Sequence, residues 1–226
     1  MPGKGPVMSA TLLQLTKRPP ETEAALYDLR FRALLGSEAW DALPPEVRRR
    51  FSKRLGRAQV AFYRGLVVEM RMSRIGWMLA QICRLFGAPL PLNRHAGGGA
   101  LVSVAEESRG GGQCWTRIYA RPDRFPQVIH SAKRFAGPTG LEEYLGRGLG
   151  MALRVEALSD GIAFVSDHYF LQIGRHRIRL PRFVTPGVTR VTHRQVAGAS
   201  FLFGLELIHS FAGTLVHQEI LFDDVD

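Results

Sequence analysis

The sequence predicts an α+β fold: about three N-terminal helices packed on a large, curled antiparallel β meander. Three observations carry this. Apolar residues recur at helical spacing before about residue 95 and with a period of two after it. Most joints between the period-two segments are marked by Gly, Pro or Asp. Segments so closely spaced can only be joined antiparallel, because a parallel crossover takes about a dozen residues or more.

Element by element, the first helix is expected over Glu23–Leu35, with Leu26, Leu29, Ala33 and Leu34 as its apolar stripe and Gly36 as its stop. Trp40 to Pro45 reads as a turn, and Pro45 suits the first position of a second helix through Val47, Phe51 and Leu55, ended by Gly56. Arg50, Arg54 and Arg57 then share a face of that helix, read as solvated. Ala58–Arg71 reads as a strand, or a strand pair broken near Gly65. Ser73 is placed to cap a third helix, whose Ile75, Met78, Leu79, Ile82 and Phe86 form a stripe expected in the core.

Strands follow at Leu101–Glu106, Cys114–Ala120, Gln127–Phe135, Gly150–Leu158, Gly161–Ile173, His176–Leu180, Val188–Val196, Ser200–Ser210 and Thr214–Phe222. A sheet of about nine strands must curl, close into a barrel or split. The Gly146–Gly150 glycine cluster lacks the strand–loop–helix setting of a dinucleotide fingerprint and reads as a hairpin. The chain therefore divides into a disordered lead-in over residues 1–22 and a single domain over 23–226. That domain is mainly helical over 23–95 and antiparallel β over 96–226.

Charge follows the same division. The formal net charge is +10, and nearly all of it falls before residue 96: 16 Lys/Arg against 7 Asp/Glu there, 14 against 13 after. Such a field suits phosphates, acidic lipids or an acidic partner. It has none of the recognisable nucleic-acid modules, so nucleic acid is not the expected partner. No apolar run reaches the roughly 18 residues of a transmembrane helix. The lead-in lacks a signal peptide's apolar stretch. Cys83 and Cys114 make no metal or redox spacing and read as free thiols, which points to the cytoplasm.

No metal motif, nucleophile elbow or cofactor fingerprint is present, so catalytic residues, metal and cofactor are all expected to be absent. Alternation singles out candidate ligand-binding residues instead. His168 shares a face with Ile162, Phe164, Ser166 and Phe170, and His209 with Phe201, Phe203, Leu205 and Leu207. Each is either a satisfied core or rim histidine or a polar group in a cavity. Asp167 and His168, as strand neighbours, should face opposite ways. Trp115, Arg117 and Tyr119 form a ladder that could stack and pair with an anion, or stand exposed. Arg179 and Arg182 continue the alternating Arg175 and Arg177, a basic edge that discourages strand addition or holds an anion. His217 and Glu219 share a face and could pair.

Several stretches carry a resemblance. They are Phe31-Arg32-Ala33-Leu34-Leu35-Gly36 with Trp40 and Leu43-Pro44-Pro45-Glu46-Val47-Arg48, then Trp115-Thr116-Arg117. Leu180-Pro181-Arg182-Phe183-Val184-Thr185-Pro186-Gly187 and His209-Ser210-Phe211-Ala212-Gly213-Thr214-Leu215-Val216 complete them. Together they resemble the bacterial family catalogued as domain of unknown function 4166, over roughly residues 24–222. The family implies no activity. Some members are fused to a saccharopine-dehydrogenase-like reductase, which implies a reductase partner for this chain. After Val216 the family pattern leads to a Tyr-Arg-Gly-Trp-like run, whereas this chain has His217-Gln218-Glu219-Ile220.

The leading functional expectation is a non-catalytic binding module for a small amphipathic molecule with an anionic head. The alternatives are an accessory module docking on a reductase, which rests on analogy, and an enzyme built from isolated His, Asp and Tyr.

Overall fold

The computed structural model describes residues 28–56, 59–87, 89–107, 111–122 and 124–224. The expected lead-in, the start of the first helix and Arg57 lie outside these residues. Within them the first helix runs over Arg30–Leu35 (α1), and Gly36 ends it at positive φ. A short helix, Ser37–Asp41 (α2), occupies part of the expected turn. Pro45 does open the next helix, Pro45–Ser52 (α3), but extended backbone at Lys53 ends it before Leu55. Arg54 is therefore not on the helix face that carries Arg50.

Val60–Met72 (β1) is one continuous strand. Gly65 does not break it; an added Cβ there would lie 2.5 Å from the Phe222 ring, so the glycine makes room for a neighbour. Ser73 caps the helix Arg74–Cys83 (α4), its side chain accepting the Gly76 N–H at 3.0 Å. The remaining strands are Gly99–Glu107 (β2), Gly112–Tyr119 (β3), Gln127–Arg134 (β4), Glu142–Gly146 (β5), Leu149–Leu158 (β6) and Gly161–Ile173 (β7). His176–Arg179 (β8), Val188–Ala197 (β9), Ser200–His209 (β10) and Gly213–Asp224 (β11) follow. All nine expected strands form. β5 is an addition, joined to β6 by the expected hairpin around Arg147–Gly148.

The meander closes. Ten antiparallel strands follow the order β6-β5-β4-β3-β2-β1-β11-β10-β9-β7, and β7 pairs back onto β6; β8 hangs outside the ring on β7. Closure removes the open edges that such a sheet would otherwise present. Inward-facing residues are mostly apolar, while Arg190–Glu156 (3.0 Å) and Arg194–Asp160 (3.3 Å) pair on the outside. The packed apolar core thus fills the barrel, while the wall carries both charged pairs and exposed apolar side chains such as Phe62, Leu66 and Val68.

Helices cap the two ends. At the end where β1 begins, Phe51 of α3 and Phe31 of α1 meet Phe164 of β7, with ring centroids 5.3–5.9 Å apart. Arg30 donates to the Gly111 carbonyl at 2.7 Å and ties α1 to the rim. At the opposite end α4 runs from Leu215, beside Gly76, toward Leu145, beside Gly87. An added Cβ on Gly76 would lie 2.0 Å from the Leu215 carbonyl oxygen, so only glycine permits this approach. The helix therefore packs through its small face, with Gly76 and Ala80 buried. This corrects the expected core stripe: Ile75, Met78 and Ile82 are exposed and Leu79 only partly buried. No described helix is long and apolar enough to cross a membrane.

Candidate functional site

Period-two alternation on β3, β4, β5 and β9 carries a set of polar residues into the apolar barrel. β3 contributes Trp115, Arg117 and Tyr119; β4 contributes Ser131 and Lys133; β5 contributes Glu143, directly opposite Lys133. The Lys133 amine lies 3.2 Å from Glu143 Oε2, and Arg117 Nη2 lies 3.6 Å from Glu143 Oε1. Arg117 also donates to Ser131 Oγ at 2.8 Å. The amine sits 4.8 Å from the centroid of the Trp115 ring and 5.3 Å from that of Phe164, two favourable cation–π contacts.

The electrostatics follow from burial. Burial pushes the Lys133 amine below its usual range; Glu143 opposes this and Arg117 adds to it. Burial works to raise the Glu143 carboxyl, but the charges of Lys133 and Arg117, with hydrogen bonds from Ser131 and Lys133, hold it below the usual range. Two bases thus share one carboxylate in a medium that screens poorly.

His193 of β9 stands beside this cluster, surrounded by Phe51, Trp115, Phe164, Phe201 and Phe203 at ring distances of 5.3–6.0 Å. It is 2% exposed, and its Nδ1 has no hydrogen-bond partner; neither has Arg117 Nε. Burial, then the charges of Lys133, Arg50 and Arg117, hold the imidazole well below the usual histidine range. The folded value thus lies below the unfolded one. The contribution of neutral His193 is complete above the unfolded value, about 6.5, and is lost as pH falls from there toward the folded value. Thermal melts at pH 7.5 and pH 5, at roughly constant ionic strength, should show wild type losing stability at the lower pH. His193→Leu should lose distinctly less. An equal loss in both proteins would assign the acid sensitivity elsewhere.

Two connected spaces adjoin these residues. One, about 420 Å³ counting its open mouth, lies beneath α3 between Arg50, Phe51, Tyr63, Trp115 and His193. The other, about 290 Å³ counted in the same inclusive way, continues inward past Arg117, Tyr119 and Phe203. Tyr63, Trp115, His193 and Phe201 border both. The side chains leave a narrow passage with room for little beyond single waters. At the mouth the Arg50 guanidinium lies 3.9 Å from the Phe201 ring centroid and donates to Gln195 at 3.2 Å, so Arg50 is not part of a solvated face.

Of the six candidate residues, the structure brings Trp115 and Arg117 into this interior. Tyr119 joins them, its hydroxyl donating to Gln218 at 3.4 Å. Gln218 and Ile220 are buried, so the last strand completes the core despite its departure from the family pattern. His168 goes elsewhere. A β-bulge at Asp167 shifts the register, so Tyr169 follows Ser166 inward and His168 lies opposite Ala152 on the outer side. The bulge also lets Asp167 and His168 meet, at 2.7 Å, where regular alternation would part them. Outside the wall, Arg177 of β8 binds Glu142 and lies over the Phe170 ring, whereas Arg179 and Arg182 are exposed. His209 sits at the rim, its Nδ1 accepting the N–H groups of Phe211 and Ala212, both at 3.3 Å. Lys133, Glu143 and His193 were not singled out from the sequence. Their signal was partial: Glu143 stands two residues from Leu141 and Leu145, but Lys133 and His193 each have one apolar and one polar residue at that spacing.

A second polar group lies on the outer wall. His217 lies 3.1 Å from the Glu206 carboxylate, which accepts from Nδ1, and faces Glu69 through Nε2 (3.6 Å). Among the described residues, the ligand atoms of Glu69, His217 and Glu219 lie within 4.8 Å of one another, close enough to hold a metal ion, though Arg71 already pairs with Glu69. Both cysteines are free.

No curated protein and no solved structure matches this chain. Residues 43–222 match the family described as domain of unknown function (DUF4166), so the Phe31–Trp40 stretch of the resemblance falls outside the match and the rest within it. The barrel and its internal polar cluster are built almost wholly from those residues, and the chain belongs to the DUF4166 family.

Proposed function

We propose that the barrel is a binding module for a small amphipathic molecule with an anionic head, entered beneath α3. One observation carries the reading: Lys133 and Arg117 share a single carboxylate, Glu143, inside an apolar enclosure. A buried base with half a counter-charge is costly, and a ligand oxyanion would complete the balance. Arg117 Nε and His193 Nδ1, both without partners, border the same inner space and would serve the head. Phe201, Phe203 and Phe222 would receive the apolar body. Entry requires α3 to move and the aromatic side chains within to repack, because Phe51 and Arg50 line the mouth and the passage behind them is nearly filled.

The test compares dodecanoate with dodecyltrimethylammonium, the same chain with opposite charge, by Trp115 fluorescence and native mass spectrometry. Dodecanoate should bind and the cation should not, and Arg117→Gln should weaken dodecanoate by about tenfold or more. Equal binding of the two amphiphiles, or of neither, would overturn the reading.

A further inference from the structure

We propose that the α4 end of the barrel is a docking face for anionic lipid membranes. Strand direction alternates, so the β1–β2, β3–β4, β5–β6, β7–β9 and β10–β11 connections all lie at that end. The five most exposed large apolar side chains of the described residues are Phe211 (96%), Phe125 (93%), Phe183 (85%), Leu85 and Met78. All five sit in these connections, and they come from four different ones. Scattered exposed apolar residues are ordinary, but a set gathered at one end marks an interaction surface.

α4 extends the set for a reason already in its packing. Its small face meets the barrel, so Ile75, Trp77, Met78 and Ile82 are left facing outward.

Charge identifies the occupant. In sequence these five connections hold ten arginines and one acidic residue; Arg177 is taken up by Glu142 on the outer wall, which leaves nine. Arg74, Arg84, Arg121, Arg175 and Arg182 are exposed or rim positions among the protruding apolar side chains. Arginine pairs in a forked geometry with phosphate oxygens, and aromatic or aliphatic side chains at the same level enter the acyl boundary. A nucleic acid would use the arginines but would leave the outward Ile and Met of α4, and Leu85 after it, in water. Phe62, Leu66, Val68 and Leu101 on the outer wall are about half as exposed as Phe211 and Phe125, so the protruding end makes first contact and docking is end-on. The mouth beneath α3 lies at the opposite end, and the docking face does not depend on a ligand inside the barrel.

Sedimentation with vesicles of phosphatidylcholine alone, and of equal parts phosphatidylcholine and phosphatidylglycerol, tests this. Wild type should pellet with the mixed vesicles and not with phosphatidylcholine, with a blue shift in Trp77 emission that is absent in Trp77→Phe. Phe125→Ser/Phe211→Ser, at fully exposed positions that leave the melting temperature unchanged, should reduce binding by about tenfold. Added salt should weaken wild-type binding without abolishing it, since apolar insertion is unscreened. Failure of wild type to bind mixed vesicles, or equal binding by the double variant, would overturn the proposal. So would retention on heparin matching that on vesicles without a Trp77 shift, which would assign the face to a polyanion.

Discussion

Glu143→Ala should lower stability by about 3–5 kcal/mol, the range for removing one partner of a buried ion pair. The substitution leaves Lys133, 4% exposed, and Arg117 facing one another without their shared carboxylate. The pair itself need not be stabilising, because desolvating both charges offsets most of their attraction. The double variant Lys133→Met/Glu143→Met should therefore recover much of the loss. Urea denaturation midpoints at neutral pH measure both. A loss under about 1 kcal/mol in Glu143→Ala would mean that water reaches the cluster and screens it. In that case the internal charge imbalance could not attract a ligand either.

The second large effect is expected at the lid. Phe51→Ala should cost about 3–5 kcal/mol, as truncations of buried phenylalanines do. Phe51 joins the two layers: it meets Phe31 of α1 at 5.3 Å, Phe164 of β7 at 5.7 Å and His193 of β9 at 5.3 Å. Its removal also widens the mouth beneath α3. Association of dodecanoate should therefore accelerate even as the melting temperature falls. Those two readouts separate a plug from a purely structural residue. A slower association at full occupancy would show that the ligand does not pass α3.

Much of the architecture was legible because strand and helix periods depend on near neighbours. The nine expected strands, the Ser73 cap, the hairpin around Arg147–Gly148 and Pro45 at a helix start are local matters. β5 was not legible. Its two glutamates were not among the candidate residues: Arg177 covers Glu142 outside the wall and Lys133 meets Glu143 within it. Lys133 stands opposite Glu143 on the neighbouring strand and Arg177 reaches Glu142 from β8, so the partners are defined only once the strands are in register. Alternation placed Trp115 and Arg117 on one face, but not which side that face would take.

His168 and α4 show the other limit. A single extra residue at Asp167 reverses every side chain beyond it, and nothing in the local pattern marks a bulge. On α4 the larger apolar residues suggested the buried face, but the small face won because Gly76 allows the closest approach to Leu215.

The sequence by itself determined an antiparallel β protein with helices toward its start, a strong basic excess before residue 96, and membership of its family. Only the tertiary structure decided that the meander closes, that two bases and one carboxylate meet inside it, and that arginines and exposed phenylalanines gather at one end. The physical reason is that period and composition are properties of neighbours along the chain. Inside and outside, and one end or the other, exist only once β1 has paired with β11, about 150 residues further along the chain.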